Sequence, residues 1–434
     1  MSTMTRFSRS RRSLAGAITV LALAIAGASG EPVLAQDRGA TAPGRTVEEL
    51  LTLARRSNPE LAAAALDTEA ALARVDVAGA LPDPVFRTEF EEIERRRGSL
   101  APSRLGTITY TIAQEFPLWG KRDLRREAAR AEADSAEARR RGAEREIEAR
   151  LKAVFAQYYA AFETTRLSEE QLRTVAAIVE VAQRRYGQGR GSQQDAIRAE
   201  IAHGELKTSL AQLEATRRRL AAQINALLGR ASDTPLARPA SLRPVPPADR
   251  LSLGDLRDRA KQRNPAVASE QAQISAAERE RRLVDKSWYP DVTIGVSAVD
   301  EDRRFFGYEA MIEIRLPLRW GLRDAQARDA TARLGAARSR LDAAQVRIDA
   351  ELEEAFWSLD AARRIERILH ETHVPQTELS RRTALAAYEL DRGDLITVLE
   401  AERQVRRVAV ERVNARVEQQ IRLAEIERLI GDDL

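Results

Sequence analysis

The stretch AQEFPLWGKRDLRR, residues 113–126, carries an alternating apolar pattern into a proline, a Trp-Gly pair and a basic helical run. About two hundred residues later IEIRLPLRWGLRDAQ, residues 312–326, repeats the phrase. Upstream of the second copy, Val292, Ile294, Val296 and Ala298 alternate with Asp291, Thr293, Gly295 and Ser297. Tyr308, Ala310, Ile312, Ile314 and Leu316 then alternate with Glu309, Met311, Glu313 and Arg315. The first copy is preceded by Phe86, Thr88 and Phe90, and by Ile108, Tyr110 and Ile112 set against Thr107, Thr109 and Thr111. A period of two gives a strand one apolar and one polar face.

Downstream, the pattern changes to that of very long helices. From Lys121 to Tyr186 there is no proline, and before the end only Gly142 interrupts the run. At 1.5 Å per residue this segment spans roughly 100 Å, too long for a globule. From Leu322 to Val374 the chain is likewise unbroken except for Gly335. Ile147, Leu151, Val154, Tyr158 and Ala161 recur at three- and four-residue steps, and Leu334, Leu341, Ile348, Ala355, Ala362 and Leu369 fall every seventh residue. A seven-residue repeat makes a coiled-coil seam. Pro375 is expected to kink or interrupt the second long helix.

The duplication extends along the chain. TVEELLTLARRSNPEL (46–61) matches LSLGDLRDRAKQRNPAV (251–267), with Asn58-Pro59 opposite Asn264-Pro265. YGQGRGSQQDAIRAE (186–200) faces YELDRGDLITVLEAE (388–402), pairing Tyr186 with Tyr388, Gly191 with Gly393 and Glu200 with Glu402. INALLG (224–229) closes the first copy and IERLIG (426–431) the second.

These landmarks divide the chain into a first repeat at 36–229, a linker at 230–250 holding five prolines, and a second repeat at 251–434. Each repeat opens on a helix of about thirty residues, 46–79 and 251–287. In the first, strands near 84–94 and 105–117 lead to a long helix at 121–186, a tip turn at 187–192 and a return helix at 192–229. In the second, strands near 290–300 and 307–317 precede a long helix at 321–388 interrupted at Pro375, a tip turn at 389–394 and a return helix at 394–431. Ser192 and Asp394 are suited to cap the return helices. The fold class is therefore mainly α with a small β part, built as a duplicated strand-strand-long-helix-turn-helix unit.

Composition agrees: charged residues make up 31% and aromatics 5%, as in long helices packed through small side chains. The net charge of +4 rests on the N-terminus, where Arg6, Arg9, Arg11 and Arg12 face one acid, Glu31. Without the first 35 residues, 66 basic stand against 65 acidic side chains, so the footprint of a nucleic-acid partner is missing. Residues 1–35 read as an export signal peptide, with an apolar stretch from Leu14 to Ala28 and a small-residue site at Val33-Leu34-Ala35. With no cysteine in the sequence, thiolate chemistry is excluded.

Four short strands cannot be stable as lone hairpins, and an apolar outer face with a polar inner one is what a transmembrane β-barrel requires. Because the smallest such barrels have eight strands, the chain must oligomerise. The competing reading is a periplasmic coiled-coil protein, structural or adaptor-like, with its hairpins as soluble modules. An enzyme is not expected: the glycine-rich tip lacks the Gly-Lys-Ser/Thr of a phosphate loop. His370 and His373 flank Glu371 one helical turn apart, but without a third placed ligand they indicate surface residues, so no metal site and no cofactor are expected.

The duplicated plan resembles that of the TolC-like outer-membrane efflux protein family, from about residue 46 to 431. FPLWGKR (116–122) resembles the variant of its CzcC-type branch, which serves heavy-metal pumps. The family's turn motif is matched by Tyr186, Gly189, Ser192, Asp195 and Ala199, and again by Tyr388, Asp394, Leu399 and Ala401. Asp391 stands where its glycine is usual, and Gly393 lies two residues on.

The resemblance implies a homotrimer whose twelve strands close one outer-membrane barrel, continuous with a twelve-helix periplasmic tunnel. It implies a passive exit duct working with a periplasmic adaptor and an inner-membrane pump of the RND type. Heavy-metal cations are the favoured cargo, with drug efflux and type I secretion as alternatives. By motif position Asp195, Tyr388, Glu400 and Asp394 are periplasmic gate candidates, with Thr397 replacing a second inward carboxylate. Gly189, Gly191, Arg392 and Gly393 would form the adaptor-docking turns. Pro117, Trp119, Gly120, Pro317, Trp320 and Gly321 would mark the barrel-to-tunnel junctions, with the tryptophans at the membrane-water interface and outer-membrane lipid as a partner.

Overall fold

The computed structural model describes residues 42–95, 102–301, 304–390 and 392–434. The expected signal peptide and Asp391 lie outside the described residues. The described chain belongs to one compact unit, Ala42–Leu434.

The first repeat comprises helices α1 (Val47–Ser57) and α2 (Pro59–Gly79), strands β1 (Val85–Arg95) and β2 (Pro102–Phe116), and helices α3 (Lys121–Gly187) and α4 (Gln193–Leu227). The second comprises α5 (Leu253–Arg263), α6 (Pro265–Lys286), β3 (Asp291–Glu301), β4 (Arg304–Arg315), α7 (Trp320–Ile368), α8 (Val374–Glu389) and α9 (Leu395–Ile430).

The opening helix expected at 46–79 is in fact two, and so is its counterpart at 251–287. Asn58 and Asn264 take extended backbone, and each caps the following helix while its proline occupies the first helical position. Proline has no N–H to lose there, and the asparagine oxygen accepts from the next two amides. Asn58 Oδ1 accepts from Glu60 N at 2.8 Å and Leu61 N at 3.1 Å. Its amide donates to Leu227 O at 2.8 Å, and Asn264 does the same to Leu429 O at 2.7 Å. Each Asn-Pro thus starts a helix and ties it to the end of its own repeat.

The glycines closing the two repeats complete the same contact. Gly229 and Gly431 sit at φ +65° and +74°, where a Cβ would fall 2.5 Å from Ser57 O and 2.6 Å from Arg263 O. Two equivalent cores form around these closures. Leu50, Leu151, Phe155, Ile224 and Leu228 pack together in the first repeat, and Leu256, Leu352, Leu359, Ile426 and Leu429 in the second.

The proline-rich segment is not a free tether. Ala237 N and Ala240 N donate to Pro43 O and Arg45 O at 3.0 and 2.9 Å. Arg243 meets Glu427 at 2.9 Å, and Lys152, buried in α3, reaches Glu427 at 2.8 Å and Asp433 at 2.6 Å. Linker, first repeat and C-terminus share one ion-pair cluster.

The expected break at Pro375 is displaced. The helix widens to a π-helical turn over Leu369–His373, and Pro375 lies in the first turn of α8. Proline offers no N–H and its ring crowds the carbonyl four residues back, so the hydrogen-bond register slips upstream of it. His370 and His373 are both exposed on this turn. Among the described residues no cluster of three or more metal-ligating side chains occurs.

The strands form one antiparallel sheet in the order β1-β2-β3-β4, joining the repeats through β2 and β3. Phe86, Ile112, Val296 and Ala310 share a row of one face, while Arg87, Thr111, Ser297 and Glu309 share the neighbouring row of the other. Among the described residues of the monomer, β1 and β4 each leave one edge without a partner strand.

Candidate functional site

The first junction is tightly made. After β2 ends at Phe116, Trp119 and Gly120 both adopt left-handed backbone, φ +65° and +75°. For tryptophan this costs about 1 kcal/mol or more, so surrounding contacts must impose it. Trp119 Nε1 donates to Pro290 O at 2.8 Å, and its ring lies 5.1 Å from that of Tyr289. Lys121 is buried, with Nζ 2.8 Å from both Tyr289 O and Asp291 Oδ1. Leu118 N donates to the same carboxylate oxygen at 3.2 Å. Arg122 fastens the start of α3 to Gly79 O at 2.8 Å.

The second junction is not a copy of this turn. Helix α7 begins at Trp320, so Gly321 lies inside the helix instead of opening the turn, and neither takes positive φ. Trp320 is 67% exposed, and Leu322 stands where the first copy has Lys121. Pro317 follows the end of β4 as Pro117 follows β2.

At the other end of the long helices the two tips are closely alike. In the first, Gly189 (φ +73°) donates to Tyr186 O at 2.9 Å, and Arg190 N donates to Arg185 O at 2.9 Å. Arg392 N donates to Ala387 O at the same distance. Gly191 and Gly393 are equivalent: a Cβ on either would lie 3.1 Å from a side chain of the preceding helix. Ser192 accepts from Asp195 N at 3.0 Å, and Asp394 accepts from Thr397 N at 2.8 Å and Thr397 Oγ1 at 2.6 Å. Those bonds hold the Asp394 carboxyl below its ordinary range.

The gate candidates are not brought into one constellation. Tyr388 is 7% exposed in a core with Val175, Ala199, Leu395 and Leu399, and the Arg185 guanidinium lies 4.5 Å from its ring centre. This contact joins the two repeats at their tips, whereas Tyr186, the counterpart of Tyr388, is 48% exposed. Asp195 is half-buried on the first turn of α4, and Asp394 serves as a cap. Glu400 is exposed on α9. The buried carboxylate near the tip end of that helix is Glu402, 3.4 Å from Arg381, and burial pushes its carboxyl up, opposed by Arg381. Motif position pointed to Glu400; the pairing of Glu402 with Glu200 was visible, but its burial was not.

A duplicated chain with one amphipathic sheet and rods reaching to paired tips has the plan of the outer-membrane efflux class. The chain belongs to the outer membrane efflux protein family, whose pattern matches residues 50–230 and 256–432. It is 24% identical over 363 residues to the cobalt-zinc-cadmium resistance protein CzcC of Cupriavidus metallidurans, covering 82% of this chain and 83% of that one. The resemblance to the TolC-like family and its CzcC-type branch is thereby borne out. Among solved structures, a CusC structure superposes with a TM-score of 0.79 at 16% identity, covering 91% of this chain and 96% of the other. VceC from Vibrio cholerae superposes with a TM-score of 0.75 at 18% identity, covering 89% and 96%.

Proposed function

We propose that three copies close a twelve-stranded outer-membrane barrel continuous with a twelve-helix periplasmic tunnel, forming an exit duct for heavy-metal cations. The observation that carries this reading is the two-faced sheet. Its apolar face is bare, with Tyr308 at 78% and Ile312 at 71% exposure, as a lipid-facing wall requires. Its other face carries Glu89, Glu91, Glu115, Glu309 and Glu313 against Arg87 and Arg315. Repeated around a three-fold axis, such carboxylates make a negative field that favours cations. The likeness to a cobalt-zinc-cadmium resistance protein supports the same cargo.

The free edges of β1 and β4 would pair between neighbouring copies, satisfying backbone groups that lipid cannot. The tip turns Gly189–Gly191 and Arg392–Gly393 are the surfaces we assign to the adaptor, with an RND-type pump supplying cargo. Asp195, Tyr388, Asp394 and Glu400 remain the proposed gate residues. In this reading the duct carries no reaction.

Outer-membrane fractions are expected to contain heat-modifiable trimers, and planar bilayers holding the protein to show cation-selective conductance. Glu309→Gln with Glu313→Gln should lower that selectivity, and a deletion strain should become sensitive to divalent heavy metals. A soluble periplasmic monomer would refute the duct; trimers without metal sensitivity would instead point to drug efflux or type I secretion.

A further inference from the structure

Where β3 and β4 meet the helices there is a cavity of about 550 Å³, lined from α3, α6, α7 and both strand ends. Its charge is lopsided. Arg125, Arg315, Arg319 and Arg323 line it together with Lys121, against a single acid, Asp291. That acid is already engaged by Lys121 at 2.8 Å and by the Leu118 amide. Among the described residues, none of the four arginines has a carboxylate within ion-pair distance. Elsewhere in the same long helices arginines pair readily, as Arg333 does with Asp329 at 3.0 Å and Arg364 with Asp360 at 2.6 Å.

Two buried polar atoms at the cavity also have no hydrogen-bond partner among the described residues: Arg323 Nε and Ser287 Oγ. Arg323 makes one weak contact, from Nη1 to Gln326 Oε1 at 3.2 Å. Clustered guanidinium groups repel one another, and an unsatisfied buried donor costs roughly 1–3 kcal/mol. A tetrahedral oxyanion removes both costs, because its oxygens accept the planar fork of arginine in pairs. The space exceeds that of the anion alone, and Leu283, Leu318 and Leu322 give part of the wall an apolar surface.

We propose that this junction cavity binds a phosphate group, held by Arg125, Arg315, Arg319 and Arg323 with Ser287 as a hydroxyl donor. The group is either inorganic phosphate or the headgroup phosphate of an anionic phospholipid. The site is independent of the cargo assigned to the duct, since it rests on charges fixed within one chain.

Calorimetric titration of the detergent-purified full-length protein tests it, with inorganic phosphate and short-chain phosphatidylglycerol as separate probes and chloride at matched ionic strength as the reference. Saturable heat with at least one phosphate probe is expected. Response to phosphatidylglycerol alone assigns a lipid headgroup, and response to inorganic phosphate assigns the free anion. The double variant Arg319→Gln/Arg323→Gln should bind about tenfold more weakly or worse, while Arg333→Gln on the same helix binds as the parent does. Arg125→Gln, altering an exposed residue of α3, supplies an independent weakening should the double variant fail to assemble. The proposal is overturned if neither probe binds saturably, or if the double variant, or Arg125→Gln in its place, binds as tightly as the parent.

Discussion

The two junctions begin from nearly the same words and end as different structures. At the first, Trp119 and Gly120 reverse the chain in left-handed backbone, and Lys121 is locked onto Asp291 of the other repeat. At the second, Trp320 simply starts the helix, and Leu322 occupies the lysine's place at the surface. Duplication supplies two copies of a turn, but only one has to join the repeats. Asp291 opens β3, which pairs with β2, so the Lys121 bond fastens the seam through which the two hairpins become one sheet. The second junction borders β4, which among the described residues pairs only with β3, so it holds no seam between the two repeats.

The largest expected effect separates these roles. Lys121→Met removes a buried cation and leaves Asp291 with only amide support, which should cost about 3–5 kcal/mol. Leu322→Ala at the equivalent exposed position should cost about 0.5 kcal/mol or less. Denaturation of the two purified variants in detergent measures the difference, and equal losses would break the comparison.

The repeat closures provide the contrasting case, where duplication has kept both copies. Gly229→Ala and Gly431→Ala each drive a methyl into a backbone carbonyl at positive φ, so each should cost about 3 kcal/mol. Closely matched shifts in melting temperature are expected. A tolerated substitution in one repeat only would show that one closure is slack.

Trp119 gives a smaller and more diagnostic effect. Trp119→Ala loses the tilted ring contact with Tyr289 and the bond to Pro290 while retaining the left-handed strain. Trp119→Gly loses the same contacts but releases that strain, so it should be the more stable by about 1 kcal/mol. At Trp320, the first residue of α7 with no positive φ, there is no such strain to release, so Trp320→Gly should be no more stable than Trp320→Ala.

Much of the fold was legible because it depends on periodicity. Alternation at Val292–Ala298 and Tyr308–Leu316 marked both faces of the sheet, and the proline-free run after Lys121 marked the long helix. The Asn-Pro landmarks were visible too, but a helix read through them hid their role as caps that start a second helix. The contents of the first junction were hidden for another reason. Sequence gives Trp-Gly twice, whereas backbone sign is decided by Pro290 and Asp291, far away along the chain. The tip shows the same limit: Glu400 and Glu402 lie two residues apart on α9, and only packing decides which faces inward.

The two tips differ in one chemically addressable way. Ser192 and Asp394 do the same capping work, yet only the aspartate titrates. Its hydrogen bonds to Thr397 depress the folded-state pKa below the ordinary value of 3.8. A depressed carboxyl contributes stability that is fully present above the unfolded value and is lost as pH falls through the folded one. Acidification below about pH 4 should therefore loosen the α8–α9 turn before the α3–α4 turn. Hydrogen exchange at Leu395–Thr397 should rise over that interval while that at Gln193–Asp195 changes less. Asp394→Ser should bring the two tips to the same pH response, and a difference that persists in this variant would place its origin outside the cap.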